Sequence, residues 1–310
     1  MATTPDRVAT KPEAKADPLA FDDPGLFMAM ENLELAARGI VEGAIHGMHR
    51  SPYIGFSAEF DAHREYMPGD DLRYVNWNLW GRTDRLYVKQ FTSDTNLNLY
   101  LLLDISGSML CAHGPSEKWR YGARAAAALA CFSLRNRDAV GLYLLRDRVE
   151  AHVPPVIRPG QFHQILSVLG AAQPEGEVNL SKAFDDVLEL CRRKGIVFLI
   201  SDMLTNEDDI LRGLVDLRVR GHDVTLLHLL DPWEADLPEH GQYEFTDLES
   251  GDRVFAHVDA VRQTYNDVVD RWRTGLERRC QQHGIDWVTC TTADPLQDIM
   301  VDYLMRRPRL

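Results

Sequence analysis

The sequence predicts an α/β fold: a mostly parallel sheet with helices on both faces, preceded by an N-terminal helix and a small β module. Three observations predict it. From Asn96 onward strand-like and helix-like segments alternate. Two of the strands, around Leu99 to Leu103 and Ile196 to Ile200, are nearly continuous apolar runs, as expected where helices cover both faces of a sheet. The chain has 310 residues, 45% of them hydrophobic and 26% charged, which is length enough for a large core and a second module.

Residues 1–24 read as a disordered tail, because Met1 to Asp23 carries Thr, Pro, Lys, Ala and Asp without the positive start and apolar stretch of a secretory signal. Residues 25–95 read as a helix and a β-rich module. From Gly25 to about Met48, Leu26, Met30, Leu33, Leu35, Ala37, Ile40, Val41 and Ile45 recur at helical spacing, with Glu31, Glu34, Arg38 and Glu42 on the wet side. From Ser51 to Thr95 aromatic and β-branched residues are broken by Pro and Gly, a pattern of short strands and turns.

Residues 96–310 read as the α/β domain. Its expected strands are Asn96 to Asp104, Ala139 to Leu145, Ile196 to Ser201, Asp223 to Leu230 and Asp286 to Cys290. Its expected helices are Lys118 to Arg135, Phe162 to Ala172, Leu180 to Arg193, Asp208 to Arg220, Asp259 to His283 and Leu296 to Met305.

Bulk properties narrow the function. Lys plus Arg against Asp plus Glu is 34 − 47 = −13, a balance that repels phosphate backbones and gives no support to nucleic-acid binding. No apolar run approaches the roughly 20 residues needed to cross a bilayer. The five cysteines are odd in number, widely spaced and without a CxxC pair, so neither a disulfide framework nor a cysteine zinc site is readable and a reducing cytoplasm fits. No Walker or GxGxxG loop indicates a nucleotide site.

The sharpest local signal is Asp104-Ile105-Ser106-Gly107-Ser108, where the first apolar strand runs out into a loop. In open α/β sheets ligands bind outside the carboxyl ends of the strands. A carboxylate and two hydroxyls there form an all-oxygen donor set of the kind Mg²⁺ takes. A second strand ends in Ile200-Ser201-Asp202 and brings another carboxylate to the same sheet edge.

DxSxS at the end of the first core strand, with a later apolar strand ending in Ser-Asp, resembles the metal-ion-dependent adhesion site of von Willebrand factor type A domains. The upstream stretch narrows the match. Gly55-Phe56-Ser57-Ala58-Glu59-Phe60, Arg64 to Arg73 (REYMPGDDLR), Asn76-Trp77, Arg82 and Leu86 to Phe91 (LYVKQF) resemble the signature of the bacterial domain of unknown function 58 family, over about Gly25 to the C-terminus. The resemblance implies a von Willebrand type A-like domain that binds a protein rather than catalyses. It implies a MoxR-type AAA+ ATPase or its client as partner, and Asp104, Ser106, Ser108 and Asp202 as metal residues. Mg²⁺ is the implied ion, with Mn²⁺ or Ca²⁺ as alternatives. One position departs: where the family offers a Thr ligand this chain reads Gly176-Glu177-Val178-Asn179-Leu180, and Val178 has no side-chain oxygen. Asn179 is then expected to cap the next helix, and Glu175 or Glu177 is left to reach the site.

Plainer explanations compete at each motif. A strand-end turn alone accounts for Asp104, Ser106 and Ser108; Asp202 and the upstream signature tip the reading toward a binding site. Asp70 and Asp71 after Pro68-Gly69 are expected to bond turn amides or pair with Arg64 and Arg73. The functional alternative is a partner-binding face of Arg64, Arg73, Trp77, Arg82 and Lys89. The histidines are scattered without HExxH and read as structural or solvated. The acidic start Glu207-Asp208-Asp209 suits the positive end of a helix.

The expectation is a non-enzymatic protein-binding adaptor. Two rivals stand beside it: a metal-dependent hydrolase on the same residues, with Glu117 or His113 as base, and a scaffold whose metal site is dead.

Overall fold

A computed structural model of the chain describes residues 24–50, 63–65, 85–89, 97–114, 116–176, 178–248 and 251–306. Helix α1 (Pro24–Arg50) comes first, followed by a short antiparallel pair, β1 (His63–Glu65) and β2 (Tyr87–Lys89). The rest of the expected β module, and the tail before Pro24, lie outside the described residues.

The main domain then runs β3 (Asn98–Asp104), a 3-10 turn (Gly107–Leu110), α2 (Lys118–Arg135), β4 (Ala139–Leu145), β5 (Val149–Val156), α3 (Gln161–Ala171), α4 (Leu180–Leu190) and β6 (Ile196–Ser201). It continues with α5 (Glu207–Val219), β7 (Asp223–Leu230), the single turn α6 (Pro232–Ala235), β8 (Gln242–Thr246), β9 (Arg253–His257), α7 (Val258–Gln282), β10 (Asp286–Thr291) and α8 (Leu296–Arg306). The six-stranded sheet has the order β10-β7-β6-β3-β4-β5, and all its pairs are parallel except β4 with β5. The expected fold class is therefore the observed one, and the expected strands and helices of the main domain fall within a few residues of their observed bounds.

Four elements went unforeseen: β5, α6 and the two strands of the β8–β9 hairpin. Strand β5 carries Pro154 and Pro155, which cannot donate ladder hydrogen bonds and mask a strand in the sequence. The structure puts it at the sheet edge, where such residues are tolerated. Its register against β4 shifts between Val140 and Leu142, and Gly141 sits at that shift. A Cβ on Gly141 would come within 2.8 Å of the Val153 carbonyl oxygen, so only glycine admits this approach. The single turn α6 and the solvent-facing hairpin have no apolar run long enough to announce them.

Strand β3 explains the two-sided core. Leu99, Leu101 and Leu103 face a layer built by α1, α2, α3 and α8, while Tyr100 and Leu102 face α4, α5 and α7. Helix α1 belongs to the first layer. Its buried positions, Met30, Ala37, Val41 and Ala44, follow a roughly seven-residue repeat along one stripe, whereas Leu35, expected among the apolar positions, lies off that stripe and is exposed. They pack beside the alanine-rich α2, whose Ala123, Ala126, Ala127 and Ala130 are buried in the same cluster. Small side chains on both helices let the backbones approach closely, so the α1 position tolerates no added volume. Ala37→Leu, at a site with no exposure, is expected to destabilise the fold by about 1–3 kcal/mol through overpacking, read as a lower urea midpoint with unchanged m-value.

Candidate functional site

The sheet changes direction between β3 and β6: the chain leaves β3 through α2 toward β4, and the strands on the other side begin with β6. Their carboxyl ends open a crevice, the usual ligand position in such sheets. Leu103 pairs with Ile200, so Asp104 and Ser201 emerge side by side.

Asp104 is wholly buried. Its Oδ1 accepts the Ser106 backbone N–H at 2.9 Å, and its Oδ2 accepts the Ser201 hydroxyl at 2.7 Å. Burial and then the nearby Asp202 push its pKa up to about 6, against the opposing hydrogen bonds from Ser201 and Ser106. The Ser106 and Ser108 hydroxyl oxygens lie 2.9 Å apart. That is close to the separation of about 2.9 Å expected for adjacent ligands of an octahedral Mg²⁺ at 2.0–2.1 Å. The loop before α4 is tied to this turn: Gly107 N–H donates to the Gly176 carbonyl at 2.9 Å, and Glu175 N–H donates to that of Ile105 at 3.2 Å.

Asp202 follows through a strained turn. Met203 has φ of 59°, a left-handed conformation uncommon for a non-glycine residue. Ser201 Oγ accepts the Met203 N–H at 3.0 Å and Asp202 Oδ1 accepts that of Leu204 at 3.1 Å, holding the turn from both sides. Beneath it, His228 Nε2 donates to the Asp202 backbone carbonyl at 3.1 Å.

Sequence reasoning missed the partner of Asp202. Lys118, the first residue of α2, is fully buried, and its Nζ donates to Asp202 Oδ2 and to Glu234 Oε1, each at 2.6 Å. Burial pulls its pKa down, but Asp202 and Glu234 together outweigh that and hold the ammonium above its ordinary pKa. Glu234 itself is pushed up by burial, with Lys118 opposing, because one ammonium serves two carboxylates. Glu234 also closes a capping box on α6, accepting the Asp231 N–H at 2.8 Å.

The donor set fits a divalent ion in part. Asp104, Ser106 and Ser108 converge, but Asp202 commits one oxygen to Lys118. Val178 turns into the core beside Leu180 and Phe184. Glu175 points away and pairs with Arg146 at 2.7 Å, while Glu177 lies outside the described residues. Asn179 caps α4 as expected, accepting the Ser181 N–H at 3.0 Å.

Ser108 lines an open cleft of about 490 Å³ together with Cys111, His113, Leu204, Glu234 and the end of β8. Of the two candidate bases, Glu117 pairs with Arg120 at 2.9 Å and His113 stacks on Trp233 at 4.5 Å between ring centroids. Arg64 lies opposite Val88 and Lys89 opposite His63 in the β1–β2 pair. Arg73, Trp77 and Arg82 are outside the described residues. The acidic start of α5 does more than meet the helix dipole, since Glu207 and Asp208 both pair with Arg279 of α7.

Residues 62–275 match the model of the family described as Protein of unknown function DUF58. The chain belongs to this family. An uncharacterized protein of Mycobacterium bovis and another of Mycobacterium tuberculosis are each 29% identical to this DUF58 chain over 294 residues, covering 93% of it and 92% of themselves. Among solved structures, BatB from Bacteroides thetaiotaomicron is similar with a TM-score of 0.46 and 15% identity, over 68% of this chain and 98% of that one. The SpRpn10 VWA domain is similar with a TM-score of 0.39 and 12% identity, over 66% and 94%. What the chain itself displays is a mixed α/β fold with a mostly parallel six-stranded sheet. No helix among its described residues is long and apolar enough to cross a membrane.

Two predictions follow from the buried charges. Lys118→Met leaves Asp202 and Glu234 uncompensated and is expected to destabilise the protein by about 3–5 kcal/mol in urea unfolding. The second concerns pH. Asp104, held up to about 6 from 3.8, contributes stability that is complete below about pH 4 and is lost as pH rises through 6. His228, pushed down to about 4 from 6.5 mainly by burial, contributes stability that is present above about 6.5 and is lost as pH falls through 4. The pair offset each other across one window. Asp104→Asn is therefore expected to steepen the loss of stability between pH 6.5 and 4, measured as urea midpoint against pH.

Proposed function

We propose that this chain is a non-enzymatic protein-binding adaptor that takes a partner or client at the strand-end cleft and works beside a MoxR-type AAA+ ATPase. The observation that carries the reading is the pair of hydroxyls on Ser106 and Ser108, 2.9 Å apart above the buried Asp104, with Ser108 facing an open cleft. A cleft of this openness suits the tip of a protein partner better than an enclosed substrate.

Asp104, Ser106 and Ser108 would hold Mg²⁺, or Mn²⁺ or Ca²⁺ in its place, and Asp202 would add its charge from beneath while holding Lys118. When bound, the ion supplies a positive centre with open positions for an acidic side chain of the partner. The residues orient that contact: Ser201 fixes the Asp104 carboxylate, and the Gly107–Gly176 bond fixes the turn that carries the hydroxyls. Val178 removes one ligand from this set, so the ion is expected to bind weakly until a partner completes its shell. The acidic net charge favours a basic surface elsewhere on the partner and an association weakened by salt. The remaining proposed contacts, Arg64, Arg73, Trp77, Arg82 and Lys89, would form a second face, and the proposed compartment is the cytoplasm.

Calorimetric titration of chelator-treated protein with Mg²⁺ and Mn²⁺ tests the site. Binding is expected in the wild type and lost in Asp104→Ala. Its affinity should fall roughly tenfold per unit as pH drops below about 6, since the metal takes the ionised carboxylate. Capture of the AAA+ ATPase or its client should weaken in the same variant while folding is kept. Metal-dependent turnover abolished by Asp104→Ala would replace this reading with the hydrolase, and capture indifferent to the variant would leave a scaffold with a dead site.

A further inference from the structure

A second cluster opens on the same cleft and is built from different chemistry. Cys111 and His113 sit one residue apart on the loop after the 3-10 turn, and Asp231 lies 118 residues after His113 at the end of β7. The three ligand atoms all lie within 4.8 Å of one another. Cys111 Sγ is 3.4 Å from His113 Nδ1, and that nitrogen is 3.6 Å from Asp231 Oδ1. Tetrahedral Zn²⁺ with a sulfur ligand at about 2.3 Å and nitrogen and oxygen ligands at about 2.0–2.2 Å sets the sulfur–nitrogen pair about 3.6 Å apart and the nitrogen–oxygen pair about 3.4 Å apart. Both observed separations lie close to those values.

The cluster is also held in place. Asp231 is fully buried, and its Oδ2 accepts the backbone N–H groups of His113 at 2.8 Å and Gly114 at 3.0 Å, clamping the loop that carries the other two residues. A Cβ at Gly114 would come within 2.3 Å of Thr292 Oγ1 and 2.8 Å of Pro232 Cδ, so the loop reaches Asp231 only with glycine there. Asp231 Oδ1 accepts the Trp233 N–H at 2.9 Å, and the same side chain caps the Glu234 N–H of α6, so its orientation is fixed. The His113 ring lies nearly parallel to Trp233, at 10°, which restrains the imidazole. Such fixing of ligands by surrounding bonds is the mark of a prepared metal site.

We propose that Cys111, His113 and Asp231 form a three-ligand site for Zn²⁺, with its fourth position open to the cleft. A thiol, an imidazole and a carboxylate select a borderline-soft transition metal over Mg²⁺. On binding, the Cys111 thiol gives its proton to solvent and a metal–sulfur bond forms, with no change of oxidation state. Burial first, then Glu234, push the Cys111 thiol up to about 12 against the Lys118 ammonium, so the metal must displace a firmly held proton. The site does not depend on the hydroxyl pair, and its fourth position is free for water or a partner's side chain.

Titration of the full, reduced, chelator-treated chain with Co²⁺ and then Zn²⁺ tests it. One equivalent of Co²⁺ is expected to give a thiolate-to-cobalt charge-transfer band with tetrahedral d–d bands, to release about one proton per ion and to be displaced by Zn²⁺. Cys111→Ser should abolish the charge-transfer band and His113→Ala should weaken binding at least about tenfold. Both residues are at least partly exposed, and circular dichroism checks that the variants fold. In the unaltered protein Zn²⁺ should also protect Cys111 from alkylation. Asp104→Ala should show the wild-type cobalt spectrum whether or not Mg²⁺ binds, which separates this site from the proposed adhesion site. A wild-type spectrum without a thiolate band, a band that survives Cys111→Ser, or alkylation of Cys111 unchanged by Zn²⁺ would each overturn the proposal.

Discussion

The crevice between β3 and β6 is organised by a shortage of positive charge. Asp104, Asp202 and Glu234 are drawn toward the dry end of the sheet, and one ammonium, that of Lys118, answers two of them. Ionised groups away from water are tolerable only when paired and fully hydrogen-bonded. The surroundings follow from that demand. Lys118 occupies the first position of α2, where the helix dipole disfavours a cation. Two carboxylates at 2.6 Å offset the dipole, so the start of α2 is pinned to the loops after β6 and β7. Among the described residues no ammonium bonds Asp104, which is held by hydroxyl and backbone donors and gains from a proton.

Most of the main domain was legible because each of its layers leaves its own periodicity. Strands β3, β4 and β6 are buried on both faces and read as unbroken apolar runs, and α2 shows its alanine stripe. What hid was what tertiary context alone stabilises. The prolines of β5 argue against a strand until the strand is known to be an edge. The β8–β9 hairpin alternates only weakly and buries little, so its residues look like loop.

The site divides the same way. Asp104, Ser106, Ser108 and Asp202 could be read because strand ends advertise themselves, and Val178 could be read as a side chain with no oxygen to give. Its burial beside Phe184 shows what that substitution does: the loop spends the side chain on the core. Lys118 could not be read, since it opens an amphipathic helix like any solvated lysine and its partners lie 84 and 116 residues away. Asp231 was hidden for a similar reason. As the cap of a four-residue helix it carries no signal of the loop it clamps. In both cases the missing information is a long-range pairing of charges, which local pattern does not encode.

The placement of α1 has a consequence for how the molecule is assembled in time. Its buried stripe rests against α2, α3 and α8, and α8 follows α1 by about 250 residues, so this layer is closed by contacts of very large sequence separation. During synthesis α2 and α3 can cover part of the α1 face early, but its last side closes only once α8 has left the ribosome. Until then that layer of the core is unfinished.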